Sequence, residues 1–292
     1  MSGEVGQQGI SHMISPSSWN RFETCPRMYW LSRQKLPRKA GMAASIGTAV
    51  HASVEDLLQH DYTHIGNSQD DWLPQEGERL LRIRWEEEKA VFFATPRRPQ
   101  WKEEKWKEAL NHQRGAIRLL LDHVGISGLN HTKITGALWR RIQSLAIAVE
   151  GELKTNDGKL MGRLDLLMAD VDANGRMVGW LVADLKTGRA PKDQLKLEVN
   201  RQLRLYRDIL RSNNPDGPPI RTEGWYTADS SKWLASGDDV LADAYAAWEA
   251  TTPGKVPLEP IIGDQSCGGF CDWKAWCPHW WQWRFDNNTL HK

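Results

Sequence analysis

Asp165 and the triplet Asp184-Leu185-Lys186 carry the strongest chemical signal in this 292-residue chain. They lie in two apolar runs, GRLDLL at 162–167 and LVADLKT at 181–187, separated by the hairpin-like DANGR at 172–176. Residues two apart on a strand face the same way, so Asp184 and Lys186 share a face, and Asp165 reaches it when the two strands lie side by side. Two carboxylates and an ammonium among apolar residues are costly unless they pair or bind something. A divalent ion, Mg²⁺ or Mn²⁺, satisfies this need: hard oxygen ligands hold it, and it can activate water against a phosphoryl group. Lys186 would then position that water or neutralise phosphoryl oxygens. A buried Asp–Lys pair bracing the sheet accounts for the bare D-x-K spacing equally well.

The elements that must position these groups are legible from periodicity. LAIAVEGEL (145–153), KLMGRLDLLMAD (159–170) and MVGWLVADLKT (177–187) read as a three-stranded meander, with a turn at Asn156-Asp157-Gly158. A helix is expected from Leu195 to Leu210, ended by SNNPDGPP, then a strand at 221–229 and a helix at 240–248. Upstream, Ser15-Pro16-Ser17-Ser18 caps a helix from Trp19 to about Trp30. Residues 45–60 follow helical spacing through Val50, Val54, Leu57 and Leu58, with His51 at the edge of that face. Helices over 74–94 and 101–124 flank the breaker-rich TPRRPQ. The tail from Pro253 reads as irregular. The organisation expected is an N-terminal arm and helix (1–44), a helical region with His51 (45–144), a catalytic core (145–250) and a C-terminal segment (251–292).

Three of the four cysteines, Cys267, Cys271 and Cys277, fall close together in that tail; the fourth is Cys25. Four thiolates suit tetrahedral Zn²⁺ or a [4Fe–4S] cluster, and spacing alone does not choose. A tail without evident secondary structure would need a metal to order it.

These motifs, in this order, resemble the PD-(D/E)xK nucleases, and within them the RecB-like and Cas4-like exonucleases with a four-cysteine iron–sulfur cluster. SPSSWNRFETCPRMYW (15–30) is similar to that group's opening helix and first cluster cysteine. GTAVH (47–51) resembles its helix with a metal-proximal histidine, GRLDLL and DLKTG (184–188) its two acidic motifs, and Gln202-x-x-x-Tyr206 its glutamine–tyrosine pair. The resemblance implies an α/β fold: a restriction-endonuclease-like core, with a central mixed sheet flanked by helices and a helical insertion. It also implies a [4Fe–4S] cluster on Cys25, Cys267, Cys271 and Cys277 that joins the N- and C-terminal regions. His51, Asp165, Asp184 and the Leu185 carbonyl become metal ligands, Lys186 the catalytic lysine, and Gln202 and Tyr206 catalytic-site organisers. Glu150 is a lesser candidate for the same centre. Cys267-Gly-Gly-Phe-Cys271 is one residue longer than the family spacing, an excess Gly268 and Gly269 are expected to absorb.

The implied activity is a DNA exonuclease preferring single strands or free ends, in recombination, repair or phage DNA processing. A helicase, recombination or integrase partner, a role in CRISPR adaptation, and a non-cleaving DNA-end scaffold are the competing expectations. Composition adds limits. The formal charge is +1, so a nucleic-acid surface must be local, as in Arg21, Arg27, Arg33, Lys35, Arg38 and Lys39 against Glu23. Sixteen tryptophans imply extensive aromatic burial, or exposed rings that stack; Trp273, Trp276, Trp280, Trp281 and Trp283 are candidates for either. No secretion signal or membrane span is read, and a cytoplasmic location is expected.

Overall fold

A computed structural model describes residues 12–37, 39–66, 71–126, 133–172, 174–253, 258–263, 266–267 and 271–287. Gly268 and Gly269, Arg38 of the basic run and the first ten residues lie outside them. In chain order the described helices are α1 (Pro16–Thr24), α2 (Pro26–Arg33), α3 (Met42–Gln59), α4 (Trp72–Ala94), α5 (Trp106–His123) and α6 (Gly136–Leu145), then α7 (Leu197–Asn213), α8 (Leu241–Ala250) and α9 (Pro278–Asp286). The strands are β1 (Ala146–Lys154), β2 (Met161–Val171), β3 (Met177–Lys186), β4 (Ile220–Tyr226) and β5 (Ser231–Leu234). They form one sheet in the order β1-β2-β3-β4-β5. β2 pairs antiparallel with β3, β3 parallel with β4, and β4 antiparallel with β5. The expected mixed sheet flanked by helices is therefore present.

The chain divides into two compact units, residues 37–153 with 163–238, and residues 1–36 with 154–162 and 239–292. In the first of these, β3 is central, and its alternation sorts two cores. Leu181, Ala183 and Leu185 pack with Leu57 of α3, Leu80 of α4, Leu120 of α5 and Trp139 of α6. Val182, two residues before Asp184, packs instead with Leu203 and Tyr206 of α7. A strand covered on both faces must be apolar almost throughout, which is why Asp184 stands out in it. α7 is the crossover that the parallel β3–β4 pairing requires.

The other unit revises the reading of the termini. The single helix expected over 19–30 is two, because Cys25 precedes Pro26 and is driven to an extended backbone (φ −168°, ψ 113°). The tail is not irregular: a 3₁₀ turn at Lys274–Trp276 leads into α9. α6 and β5 were likewise not anticipated.

The cysteine-ligated cluster is also corrected. All four cysteines are free and buried. Among the described residues, the group of His, Cys, Asp and Glu donor atoms that lie within 4.8 Å of one another is His51, Glu150 and Asp165, with no cysteine in it. Cys25 and Cys271 pack with Met28, and Trp273 covers them, as an apolar cluster. Burial, with the neighbouring cysteines, pushes the Cys271 thiol up to about 11. The physical reason for expecting a metal also falls away. Backbone hydrogen bonds from Cys267 to Gly263, Lys274 to Cys271 and Cys277 to Lys274 order the tail locally. Neither the iron–sulfur cluster nor a zinc alternative is supported. The tryptophans divide: Trp72, Trp85, Trp139 and Trp225 are core, whereas α9 buries none of its residues and Trp276 and Trp281 are exposed.

Candidate active site

The expected site residues converge within the sheet-bearing unit. α3 presents His51, whose Nδ1 is 3.4 Å from Asp165 Oδ1 on β2 and 4.0 Å from Glu150 Oε1 on β1. Asp165 Oδ2 accepts the Leu185 backbone N–H at 2.6 Å, so the carboxylate is clamped onto β3. Asp184 and Lys186, two apart on β3, form an ion pair. From α7, Gln202 donates to Asp184 Oδ1 at 2.8 Å and accepts from Lys186 Nζ at 3.2 Å. Its amide also donates to the Tyr206 hydroxyl at 2.9 Å, which in turn donates to the Arg163 carbonyl at 2.7 Å. The one-turn spacing of Gln202 and Tyr206 on α7 makes that chain possible.

Leu185 keeps its side chain in the core and its backbone at the site. Glu150 is the strained member, with φ at +52°, a left-handed conformation costing on the order of 1–3 kcal/mol for a residue with a side chain. Arg163 Nε lies 2.7 Å from Glu150 Oε2. Sequence reading passed over Arg163, although it stands two residues before Asp165 on the same strand; that spacing was the available signal. His51, Glu55, Glu150, Arg163, Asp165 and Lys186 all line one open cleft of about 570 Å³.

Electrostatics follow from the crowding. Burial alone would lower the His51 pKa, but Asp165 foremost, with Asp184 and Glu150, raises it to about 9. Burial would raise Asp165, yet His51, Lys186 and the Leu185 N–H hold its carboxyl below the usual range. At Asp184 burial prevails over Lys186, and with the repulsion of Asp165 it lifts the pKa to about 6. Glu150 is raised by burial and by Asp165. Lys186 stays above its ordinary value, because Asp184 outweighs the cost of burial. Burial raises the Tyr206 hydroxyl, which remains neutral.

Such a donor set fits a divalent cation. It comprises hard carboxylate oxygens and one imidazole, in a site where burial, with the repulsion of Asp165, disfavours ionisation of Asp184 and Glu150. Asp184 Oδ2 is buried and has no hydrogen-bond partner; it meets Lys186 only as an ion pair outside hydrogen-bond geometry.

The family described as the PD-(D/E)XK nuclease superfamily matches residues 13–278. This chain belongs to that superfamily. Asp184-Leu185-Lys186 has the D-X-K spelling, and Asp165 follows Leu164, not a proline. The narrower expectation, a member of the four-cysteine iron–sulfur group, is corrected by the metal-donor grouping above. No curated protein matches the sequence. A solved structure titled "Crystal structure of SSO0001" is 16% identical, covers 82% of this chain and 97% of that chain, and has a TM-score of 0.33, too low to carry an argument. No helix among the described residues is long and apolar enough to cross a membrane.

Proposed function

We propose that this superfamily member is a divalent-cation-dependent deoxyribonuclease that hydrolyses phosphodiester bonds from DNA ends, in recombination, repair or phage DNA processing. The observation that carries the reading is the convergence of His51, Glu150, Asp165 and Lys186 on one open cleft, with Lys186 held from behind by the buried Asp184 and by Gln202. His51, Glu150, Asp165, Asp184 and the Leu185 carbonyl are the donors that would hold Mg²⁺ or Mn²⁺. Such an ion supplies Lewis acidity toward a phosphoryl oxygen.

The chain's own groups do the rest. Lys186, kept charged by Asp184, offers its ammonium to the negative charge that develops on the phosphoryl oxygens. Gln202 holds Lys186 by its carbonyl and Asp184 by its amide, so the pair cannot rotate independently. Tyr206 fixes Gln202 in turn. Arg163, exposed at the cleft, is placed to meet a backbone phosphate. The end-dependent mode is the finer part of this reading, and the assay below decides it.

The test is digestion of end-labelled linear and covalently closed circular DNA, single- and double-stranded, with Mg²⁺ or Mn²⁺ and with chelator. Linear DNA should be degraded only with the ion, circles should survive, and Asp165→Ala should be inactive. Cleavage by Asp165→Ala at the wild-type rate would sink the assignment. Cleaved circles would replace the exonuclease mode with an endonuclease.

A further inference from the structure

We infer that His112 and Gln113, adjacent on α5, are positioning residues that hold the two walls of the cleft, the His51 helix and the Lys186 strand end, in fixed relation. The inference rests on the nuclease reading for its activity readout, and on the cation of that reading for its Mn²⁺ readout. His112 is buried, and its Nδ1 lies 2.8 Å from Thr227 Oγ1. The Thr227 hydroxyl donates to the Lys186 carbonyl at 3.2 Å, and the Thr227 N–H donates to the same oxygen at 3.0 Å. A hydroxyl has one proton. With Nδ1–H donating to Thr227, the threonine proton is free for the Lys186 carbonyl, and all three groups are satisfied together. The Lys186 carbonyl is the last of β3 before Thr187 and Gly188 leave the sheet and line the cleft. The strand end that carries the lysine is thus tied to α5 through a doubly hydrogen-bonded carbonyl.

Gln113 does the same for the opposite wall. Its buried amide donates to Ser53 Oγ at 2.9 Å and to the Gly77 carbonyl at 2.7 Å, and the Ser53 hydroxyl donates to the Val50 carbonyl at 2.8 Å. Val50 and Ser53 bracket His51 on α3. The fit is close: a Cβ at Gly115, three residues from His112, would lie 1.8 Å from the Thr227 carbonyl oxygen, so α5 meets the end of β4 backbone to backbone. Buried polar side chains cost stability where apolar ones of the same shape would fill the space. His112, Gln113, Ser53 and Thr227 are all buried, and their hydrogen bonds lead to α3 on one side and to the end of β3 on the other, with Gly77 of α4 as a further partner.

The full-length protein is compared with Thr227→Val, Thr227→Ser and Gln113→Leu for kcat and KM on end-labelled DNA, for Mn²⁺ binding and for Tm. Thr227→Val should lower kcat by about tenfold or more, because misplacement of a catalytic group falls on the chemical step. Its KM and Mn²⁺ affinity should stay within about twofold, and Thr227→Ser should restore kcat. Gln113→Leu should instead weaken Mn²⁺ binding by about tenfold through a loosened His51. Folded variants with wild-type kcat and Mn²⁺ affinity would overturn the inference, as would losses that track Tm alone with no rescue by serine. Should Thr227→Val not fold, His112→Phe, which keeps the ring, replaces it with the same expected kcat loss. A wild type that binds Mn²⁺ but cuts nothing refutes the nuclease reading, and the Gln113→Leu effect on Mn²⁺ still decides the inference. A wild type that binds no Mn²⁺ overturns both.

Discussion

Asp184→Asn separates a functional carboxylate from a structural brace. The fold lifts this carboxyl from 3.8 to about 6, burial being the main cause. The ionised form is therefore disfavoured in the metal-free native state by about 3 kcal/mol relative to the unfolded chain. That figure already contains the attraction to Lys186, so the ionised Asp184 carboxylate is a net liability without a cation. The sign follows from linkage: for a raised acid, stability is full below 3.8 and is lost as pH rises through about 6. Asparagine stands in for the neutral acid. With chelator at pH 8, Asp184→Asn should be more stable than wild type by about 1–3 kcal/mol, the lower end allowing for an amide facing the Lys186 ammonium. The advantage should shrink by about half at pH 5. Urea unfolding at the two pH values measures it, beside a nuclease assay in which the variant is inactive. If Asp184→Asn were instead less stable by more than about 1 kcal/mol at pH 8, the Asp184–Lys186 pair would be a brace for the sheet, and the functional reading of Asp184 would fail.

Three other outcomes follow from the same structure. His51, protonated near neutrality with a pKa of about 9, must lose its proton to ligate a cation. Mn²⁺ binding at pH 7.5 should therefore release about one proton and tighten as pH rises toward 9, seen by calorimetry in buffers of different ionisation enthalpy; heat independent of buffer would exclude His51 as a ligand. Trp139 is fully buried and donates to the Leu57 carbonyl at 2.9 Å, so Trp139→Ala should cost about 3–5 kcal/mol in urea unfolding. With Cys271 buried and its thiol near 11, alkylation at pH 8 should be slow in native protein and complete at all four cysteines only in denaturant. Fast native modification of Cys271 would contradict its packing against Cys25 and Met28.

Much of the core was legible because it rests on local rules. The strand alternation of LVADLK puts Asp184 and Lys186 on one face whatever the tertiary partners are, and the Gln202–Tyr206 spacing survives any docking of its helix. Glu150 and Arg163 were less visible, since their roles depend on which strand lies beside which and on a backbone twist at residue 150 that no pattern announces. His112, Gln113 and Thr227 were invisible: each is an ordinary polar residue until the packing of α5 gives it a partner. The cysteines misled for the opposite reason. Their grouping, joined to the family resemblance, pointed to a cluster, but the tail orders through short turns and apolar packing, which its composition does not announce. The Cys25–Pro26 break was readable and was passed over, although a residue before proline resists the helix.

The left-handed backbone at Glu150 carries a consequence for how this sequence changes over time. Glycine or asparagine would sit there with less strain, so every generation of mutation offers a stabilising exit from glutamate. What opposes it is the demand on the carboxylate, from the cleft and from Arg163. Position 150 is thus a gauge of use: where the site is needed the glutamate should be retained against its own backbone, and where it is not this position should drift before the packed core around Trp139.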